Sequence, residues 1–580
     1  MTPAASPGPI APSGAAFWLP RTGALFYFVL FAVMAFFVLY PAVQLLISSF
    51  QEGALGRTTT WGMGNWIEAF RHAQVVEAVW NTLSLSFARQ AISFVLGMVI
   101  AWLIVRTNLP GRDWIEVGFW IALFMPALPV AMAWVLLAGG EAGMINAWVK
   151  EVFPSIKGPI FNIYSWWGIV WVHLVTSTLP IKVFLLAPAL RAMDSALEEA
   201  ARTCGSCIFG ILFKVVVPLM LPTILAVVLL GFIRSMQAFE IELILGAPAS
   251  IDVYSTVIYR SMKSEPPNFG LGSALSLTFV ALIIPFVMAQ QWFSNRFAHA
   301  TVGGKFSSRV QDLGRWKWPL FWILVVMLLI MTVLPTVMLL VGSFMKIFGV
   351  MDLTDPWTTK HWTAAFSRDD LPRSFKNTMI FGLASAMIGM ALYSAIAYYI
   401  VKTRYIGRQA LDFLIWIPTV IPGIVISLAI LEMFVAVPVL RVAYGTIWAM
   451  VFAIILGSMT VGVQITRGGL VQLKTELEEA SWTSGGSHVY TFFRIILPLV
   501  APVVIVVGLQ VFATAVSVVS VVALLGTAET QPLSILQLAF LDSGRFESAT
   551  IVGLLILVIT IVAALLARMI SMRYWVGERA

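Results

Sequence analysis

The stretch Ser195-Ala-Leu-Glu-Glu-Ala-Ala201 occurs a second time in the chain as Thr475-Glu-Leu-Glu-Glu-Ala-Ser481. Each copy is followed by a glycine and then by a proline that stands in an apolar run. The matched pairs are Glu199 and Glu479, Ala200 and Ala480, Ala201 and Ser481, Gly205 and Gly485, and Pro218 and Pro498. Every pair is separated by 280 residues (479 − 199, 485 − 205, 498 − 218), so chance does not explain the match.

Both copies predict a short helix that ends in a turn. Ser195 with Glu198, and Thr475 with Glu478, have the S/T-x-x-E spacing of a capping box, in which two side chains bond free amides at a helix start. Small residues then keep one helix face thin, and Glu199 or Glu479 offers an exposed carboxylate. The glycine permits the left-handed backbone that stops a helix. The alternative is an ordinary amphipathic loop. We name residues 195–218 the first elbow and residues 475–498 the second elbow.

A second repeat lies upstream of each elbow. WNTLSLS at Asn81 and VRTNLPGR at 105–112 match KNTMIFG at Asn377 and VKTRYIGR at 401–408, with an offset of 296 (377 − 81). The chain is therefore expected to consist of two homologous halves. An asparagine at the start of a span often caps a helix, so we expect this role for Asn81 and Asn377.

The chain as a whole is apolar. Hydrophobic residues make up 60% of the 580 residues, charged residues make up 11%, and the mean hydropathy is +0.92, which excludes a set of soluble domains. Apolar runs of about 20 residues, the length of a membrane-crossing helix, lie near 23–50, 82–105, 115–138, 165–189, 216–243, 272–292, 317–343, 378–401, 411–436, 444–465, 495–526 and 550–571. They predict an all-α polytopic membrane protein with about twelve transmembrane helices, about six in each half.

The basic residues indicate the orientation. Lysine and arginine concentrate in alternate connections, as they do in cytoplasmic loops, so we expect both termini and both elbows in the cytoplasm. This also explains the net charge of +8 without a nucleic-acid partner. The predicted units are a disordered tail at 1–22, a first domain at 23–292, a cytoplasmic linker at 293–316 and a second domain at 317–580. Cys204 and Cys207 are too few for a disulfide framework.

Polar groups inside apolar spans are candidates for a transport pathway. With the offset of 280, the polar stretch after Pro218 aligns with hydroxyl residues of the second half. The candidate pathway residues are Arg89, His173, Arg234, Gln237, Glu240, Thr514, Ser517 and Ser520. Alternatives stay open, because Arg234 could reach outward to the membrane surface, Glu240 and Glu242 could lie in water, and His173 could bond a backbone carbonyl. Lys182 and Glu432 stand nearer span ends and are expected at the surface.

The elbows resemble the EAA loop, E-A-A-x3-G-x9-I-x-L-P, of permease subunits in type I binding-protein-dependent ABC importers. Val215 and Val217 replace Ile and Leu in the first copy, and Ser481 replaces the second Ala in the second copy. The resemblance implies two fused ABC permease domains, whose elbows dock on two copies of a cytoplasmic ATPase that rocks the halves between inward-facing and outward-facing states. It also implies a periplasmic substrate-binding protein and a bacterial inner-membrane location.

The chain lacks an ATP-binding motif of its own. No G-x4-G-K-[ST] occurs, and the nearest string, Gly303-Gly304-Lys305, lacks the leading glycine. ATP and Mg²⁺ are therefore expected on the partner ATPases, with no catalytic residue, cofactor or resident metal in this chain.

The substrate and the class of transporter leave alternatives. FEIELILGAPASIDVYSTVIY most resembles the ferric-iron permease group, whose relatives handle thiamine, polyamines and phosphonates. A secondary transporter with internal repeats also has about twelve spans but has no use for twin elbows. A membrane enzyme would need clustered acids, nucleophiles or metal ligands.

Overall fold

The computed structural model describes residues 21–53, 60–71, 73–156, 158–193, 196–297, 310–350, 354–403 and 407–576. Most of the predicted N-terminal tail, half of the predicted linker and Ser195 of the first capping box lie outside the described residues.

The described chain is helical, apart from an antiparallel pair of two-residue strands, β1 (Gln51–Glu52) and β2 (Thr60–Trp61). The helices of the first half are α1 (Arg21–Ser49), α2 (Gly64–Arg71), α3 (Ala73–Arg106), α4 (Arg112–Leu123), α5 (Ala127–Ala138), α6 (Met144–Val152), α7 (Trp166–His173), α8 (Leu179–Ala192), α9 (Ala196–Thr203), α10 (Ile208–Ile211), α11 (Val217–Leu219), α12 (Leu221–Met236), α13 (Glu240–Gly246), α14 (Tyr254–Lys263) and α15 (Phe269–Phe297).

The second half repeats this order of long and short helices. Its helices are α16 (Lys317–Leu328), α17 (Leu334–Phe344), α18 (Lys360–Ser367), α19 (Asp370–Lys402), α20 (Arg408–Val420), α21 (Gly423–Ala436), α22 (Ile447–Val471), α23 (Glu476–Thr483), α24 (His488–Thr491), α25 (Leu497–Ser517), α26 (Leu533–Asp542) and α27 (Phe546–Val576).

The membrane spans agree with the apolar runs. Among the described residues, nine helices are long and apolar enough to cross a membrane, and three bent pairs raise the number to twelve if each pair is one span. The bends are 98° between α4 and α5, 75° at the start of α12, and 110° between α20 and α21. Pro126 and Pro422 stand directly before α5 and α21, where a residue that lacks an N–H interrupts the helical ladder. The predicted all-α fold with about twelve spans is confirmed.

Wide, π-helical turns recur at prolines. They cover Leu174–Thr178, Leu212–Val216, Leu329–Val333 and Phe492–Ile496. Each ends two residues before a proline, whose ring crowds the carbonyl four residues earlier and widens the helix. Two of these turns precede Pro218 and Pro498 and are separated by the elbow offset of 280 (492 − 212). The repeat therefore includes this local backbone distortion.

The first span of each half packs against the other half. Helix α1 contacts α20 and α21, whereas α17 contacts α5. Met34 and Val38 of α1 belong to a core built mainly from the second half, and Leu339 of α17 belongs to the core of the first half. The domain boundaries stay a prediction, but each half completes its core with a span from the other.

Asn81 and Asn377 do not cap helices. Helices α3 and α19 begin earlier, at Ala73 and Asp370, so both asparagines lie inside them. Their side-chain amides instead donate to backbone oxygens of Asp252 at 3.0 Å and Glu529 at 2.8 Å. The two bonds hold equivalent loops against α3 and α19, near the helix ends that lie away from the elbows. The capping expectation was wrong because an apolar run does not mark where its helix begins.

Candidate functional site

Each elbow contains a two-turn helix that a left-handed glycine terminates. Gly205 follows α9 and Gly485 follows α23, and both have a φ of +84°. In both copies the glycine N–H and the next N–H donate to carbonyls at 2.8–3.0 Å. The four donor and acceptor pairs are Gly205 to Arg202, Ser206 to Ala201, Gly485 to Trp482 and Gly486 to Ser481. This is the Schellman pattern of helix ends, so the predicted left-handed turn is confirmed in both elbows.

One glutamate of each elbow, Glu198 or Glu478, is buried in an ion pair. Glu198 lies 3.3 Å from Arg106, and Glu478 lies 3.7 Å from Lys402, with all four side chains nearly inaccessible. Thr475 makes no side-chain bond at the start of α23, so the capping box expected for the second elbow is wrong. It fails because Glu478 turns toward the core, where a cation from the distant end of α19 is available.

The two ion pairs have the same architecture. Arg106 and Lys402 end α3 and α19 at the offset of 296, and each also donates to a backbone carbonyl ahead of its elbow. The acceptors are Met193 for Arg106, and Leu473 at 2.8 Å for Lys402. Burial raises the pKa of the Glu198 and Glu478 carboxyls, while the neighbouring cations act in the opposite direction. A buried pair thus fixes each elbow to the end of a long span.

The outer face of each elbow is small and accessible. Ala200, Ala480 and Glu479 are exposed, Glu199 and Ala201 are partly exposed, and Ser481 is buried against Thr491 at 2.8 Å. One turn before the prolines, Phe213 and Phe493 are 53% and 60% exposed. An apolar ring and a carboxylate beside a thin helix face suit close approach by another protein.

Arg89 and His173 meet at Glu242, a residue that sequence reasoning left outside the candidate set. Arg89 Nη1 lies 2.6 Å and His173 Nε2 lies 2.9 Å from Glu242 Oε1. Arg89 also donates to the side chain and the backbone oxygen of Ser235. Arg89 and Glu242 are each 1% exposed, so Glu242 does not lie in water. The cluster joins α3, α7, α12 and α13, and Arg89 is buried within it.

Gln237, Glu240 and Ser520 come together where the two halves touch. Gln237 Nε2 donates to the Thr419 oxygen at 2.9 Å, beside the break between α20 and α21. Glu240 Oε1 accepts from the backbone N–H groups of Val519 at 3.3 Å and Ser520 at 3.1 Å. These contacts lie at the end of α12 that is remote from the first elbow. They join the halves at that end.

Arg234 remains accessible beside this contact. Arg234 lies one turn before Gln237, on the same helix face. Many protein atoms lie around this position, but the Arg234 side chain itself is accessible. It forms no hydrogen bond or ion pair with the residues that the structure describes. Thr514, its equivalent in the second half, and Ser517 are partly exposed and bond carbonyls of their own helix at 2.9 Å.

Lys182 and Glu432, which the sequence predicts near the membrane interface, are both buried inside the protein. They are 0% and 2% exposed. Lys182 Nζ donates to the Val227 oxygen at 3.2 Å, and Glu432 accepts from Ser273 Oγ at 2.8 Å. Gly97 and Gly231 leave room for the lysine stem and ammonium between α3, α8 and α12. Within the described ranges, no three His, Cys, Asp or Glu side chains form a metal-binding group.

Comparison with known proteins gives the family. Residues 93–299 and 387–576 match the family of binding-protein-dependent transport system inner membrane components, once in each half and over most of the chain. The chain belongs to this family. It is a permease subunit of a type I ABC importer, in a fused form with two permease halves, and a multi-pass protein of the inner membrane.

Relatives of the permease include both fused and single-half proteins. This permease is 26% identical over 550 residues to the ferric transport system permease protein FbpB of Actinobacillus pleuropneumoniae. The match covers 93% of this chain and 76% of that protein. A probable ABC transporter permease protein of Sinorhizobium fredii is 26% identical over 525 residues, covering 89% and 90% of the two chains. The molybdenum transport system permease protein ModB of Escherichia coli is 28% identical over 221 residues, which cover 38% of this chain and 93% of ModB. These relatives are transport permeases rather than enzymes.

Proposed function

We propose that the permease carries ferric iron from a periplasmic substrate-binding protein to the cytoplasm, and that two copies of a cytoplasmic ABC ATPase supply the energy from ATP and Mg²⁺. The observation that carries the proposal is the twin elbow, with the same left-handed glycine, the same buried glutamate and the same thin outer face in both halves. Two equivalent docking sites in one chain suit two ATPase subunits without a second permease. Both elbows and both termini then lie in the cytoplasm.

The proposed cycle alternates access between the two sides of the membrane. Gln237 and Glu240 join the halves at the end of α12 remote from the elbow, so the pathway is narrow there. Closure of the ATPases would draw the elbows together and separate this remote end. Arg89 and His173 would act indirectly, by holding the first half rigid. Ser520 would stand at the contact from the second half, and Thr514 and Ser517 would line the pathway.

The choice of ferric iron is supported by the fused relatives, and it is tested by uptake. Proteoliposomes that contain the permease and its ATPase, with binding protein outside and ATP inside, should accumulate radiolabelled ferric iron. Omission of ATP or of the binding protein should remove the uptake. Accumulation of thiamine, a polyamine or a phosphonate in place of iron would reject the iron assignment and retain the importer.

Arg234→Ala should lower the initial rate of ferric-iron uptake at least about tenfold. The reason is that Arg234 is an accessible cation inside a span with no partner among the described residues, and a charge inside a span is costly unless it serves a function. Arg234→Lys keeps the charge and should retain a substantial part of the rate. Uptake by the alanine variant at the wild-type rate, with equal protein in the membrane, would show that Arg234 only reaches outward to the membrane surface.

A further inference from the structure

The end of the linker between the halves is held against the first half. The Gln311 N–H donates to the Arg106 oxygen at 2.8 Å, and the Asn108 N–H donates to the Gln311 oxygen at 3.0 Å. These two bonds place Gln311 beside Thr107 as a short parallel bridge. We name residues 310–313 the linker clasp. The clasp backbone runs beside the last residue of α3, Arg106, and the two residues after it, Thr107 and Asn108. Arg106 is also the cation that pairs with Glu198 in the first elbow.

Side chains strengthen the clasp on both sides. The Asn108 carboxamide accepts from the Leu313 N–H at 2.9 Å and donates to Asp312 Oδ1 at 2.6 Å. Leu313 is buried in the core of the first half. Bonds to the Gly314 N–H and to Asn108 lower the pKa of Asp312, so this carboxyl stays ionised at neutral pH. The clasp is therefore ordered by several independent contacts.

Gln311 reaches from the clasp into the elbow. Its Nε2 donates to Glu198 Oε2 at 2.9 Å, while the other carboxylate oxygen of Glu198 faces Arg106. Gln311 is 6% exposed, so this bond is shielded from water. The linker thus supplies one of the two side chains that hold the buried glutamate of the first elbow.

The second elbow is held by different chemistry. Glu478 pairs with Lys402, and the phenol groups of Tyr398 and Tyr27 lie near its carboxylate. Tyr27 stands at the start of α1, as Gln311 stands shortly before α16. Both elbows are therefore approached by a residue close to the first span of the opposite half, but only the first receives a carboxamide from the linker clasp.

We propose that the linker clasp is part of the first ATPase-docking elbow, and that Gln311 is a positioning residue that sets where this elbow stands. The inference rests on the proposed function, because it concerns how an elbow meets its ATPase. It makes the two docking sites unequal. The position of the first elbow depends on the segment that leads into α16, and so on the movement of the second half.

The native cysteines provide a reporter for each elbow. Cys204 and Cys207 are the chain's two cysteines, and both are exposed in the first elbow. The offset of 280 places Ser484 and Ser487 at the same positions of the second elbow. A full-length chain with Cys204→Ser, Cys207→Ser and Ser484→Cys therefore reports the second elbow alone. Bound ATPase should protect either set from a membrane-impermeant maleimide in inverted vesicles.

Gln311→Ala should raise maleimide labelling of Cys204 and Cys207 in the ATPase-bound permease about tenfold, because a buried hydrogen bond to a charged group is lost. Labelling at Ser484→Cys should not change. Val310→Ala, which alters an exposed clasp residue, should leave both elbows protected.

The outcomes separate the two proposals. Unchanged protection of the first elbow in Gln311→Ala, or equal loss at both elbows, would overturn the positioning role. Absence of ATPase protection of Cys204 and Cys207 in the wild-type chain, or of the Ser484→Cys reporter in a chain that keeps Gln311, would instead overturn the proposed docking function.

Discussion

Replacement of Gly205 and Gly485 by valine is expected to reduce the proposed ferric-iron uptake at least about tenfold while the protein remains in the membrane. Both glycines have a φ of +84°, where a β-branched residue is strained by about 1–3 kcal/mol. About 1.4 kcal/mol corresponds to a factor of ten in an equilibrium. Among the described residues, apart from the chain neighbours of each glycine, no heavy atom lies within 4 Å of a Cβ built at Gly205 or Gly485, so a Cβ has room at both positions. The expected effects are therefore strain in the turn and weaker binding of the proposed ATPase.

The chain offers a matched control for this experiment. Gly544, between α26 and α27, has a φ of +71° and equally open surroundings, but it is outside both elbows. Gly544→Val should therefore keep most of the uptake. Asparagine tolerates the left-handed conformation but, unlike glycine, adds a side chain. The variants Gly205→Asn and Gly485→Asn therefore separate the effect of backbone strain from the effect of a side chain that blocks close approach by the ATPase. If valine at both elbows left uptake and ATPase binding intact, the coupling assignment would be wrong.

The elbow turns could be predicted from sequence because their causes are local. A glycine that ends a short helix specifies its left-handed conformation without help from distant residues. The partner of Glu198 could not be predicted in the same way, since Arg106 belongs to another span. Glu478 shows the consequence, because its capping spacing is correct but a nearby lysine in the folded protein attracts the carboxylate inward.

Depth in the membrane was harder to predict than the number of spans. Hydropathy finds an apolar run but does not show where its helix bends. The span that contains Glu432 turns by 110° between α20 and α21, so the distance of Glu432 along the sequence gives a poor measure of its depth.

The pathway residues illustrate a second limit of prediction from sequence. The sequence shows Arg89 and His173 only as polar groups inside spans. The packing of α13 between them is needed to show that the Glu242 carboxylate pairs with both side chains.

Arg89→Met should destabilise the permease by roughly 3–5 kcal/mol, because it leaves the Glu242 carboxylate buried without its main cation. Glu242→Met should have a similar effect for the opposite reason. The double variant, which removes both charges, should be more stable than either single variant. Thermal unfolding of the detergent-solubilised full chain measures all three, and the cycle gives the energy of the pair.

An exposed ion pair gives the comparison that decides between rigidity and transport. Arg373 and Glu529 lie 2.9 Å apart, but their side chains are 33% and 77% exposed, so Arg373→Met should cost only about 0–1 kcal/mol. If Arg89→Met unfolded as late as Arg373→Met and yet lost iron uptake, Arg89 would act on the substrate, as the sequence first indicated. If stability and uptake fell together and the double variant restored both, the cation would be needed only because Glu242 is there. The buried cluster would then be a brace for the first half, and Arg234 would be the accessible charge left beside the contact between the halves.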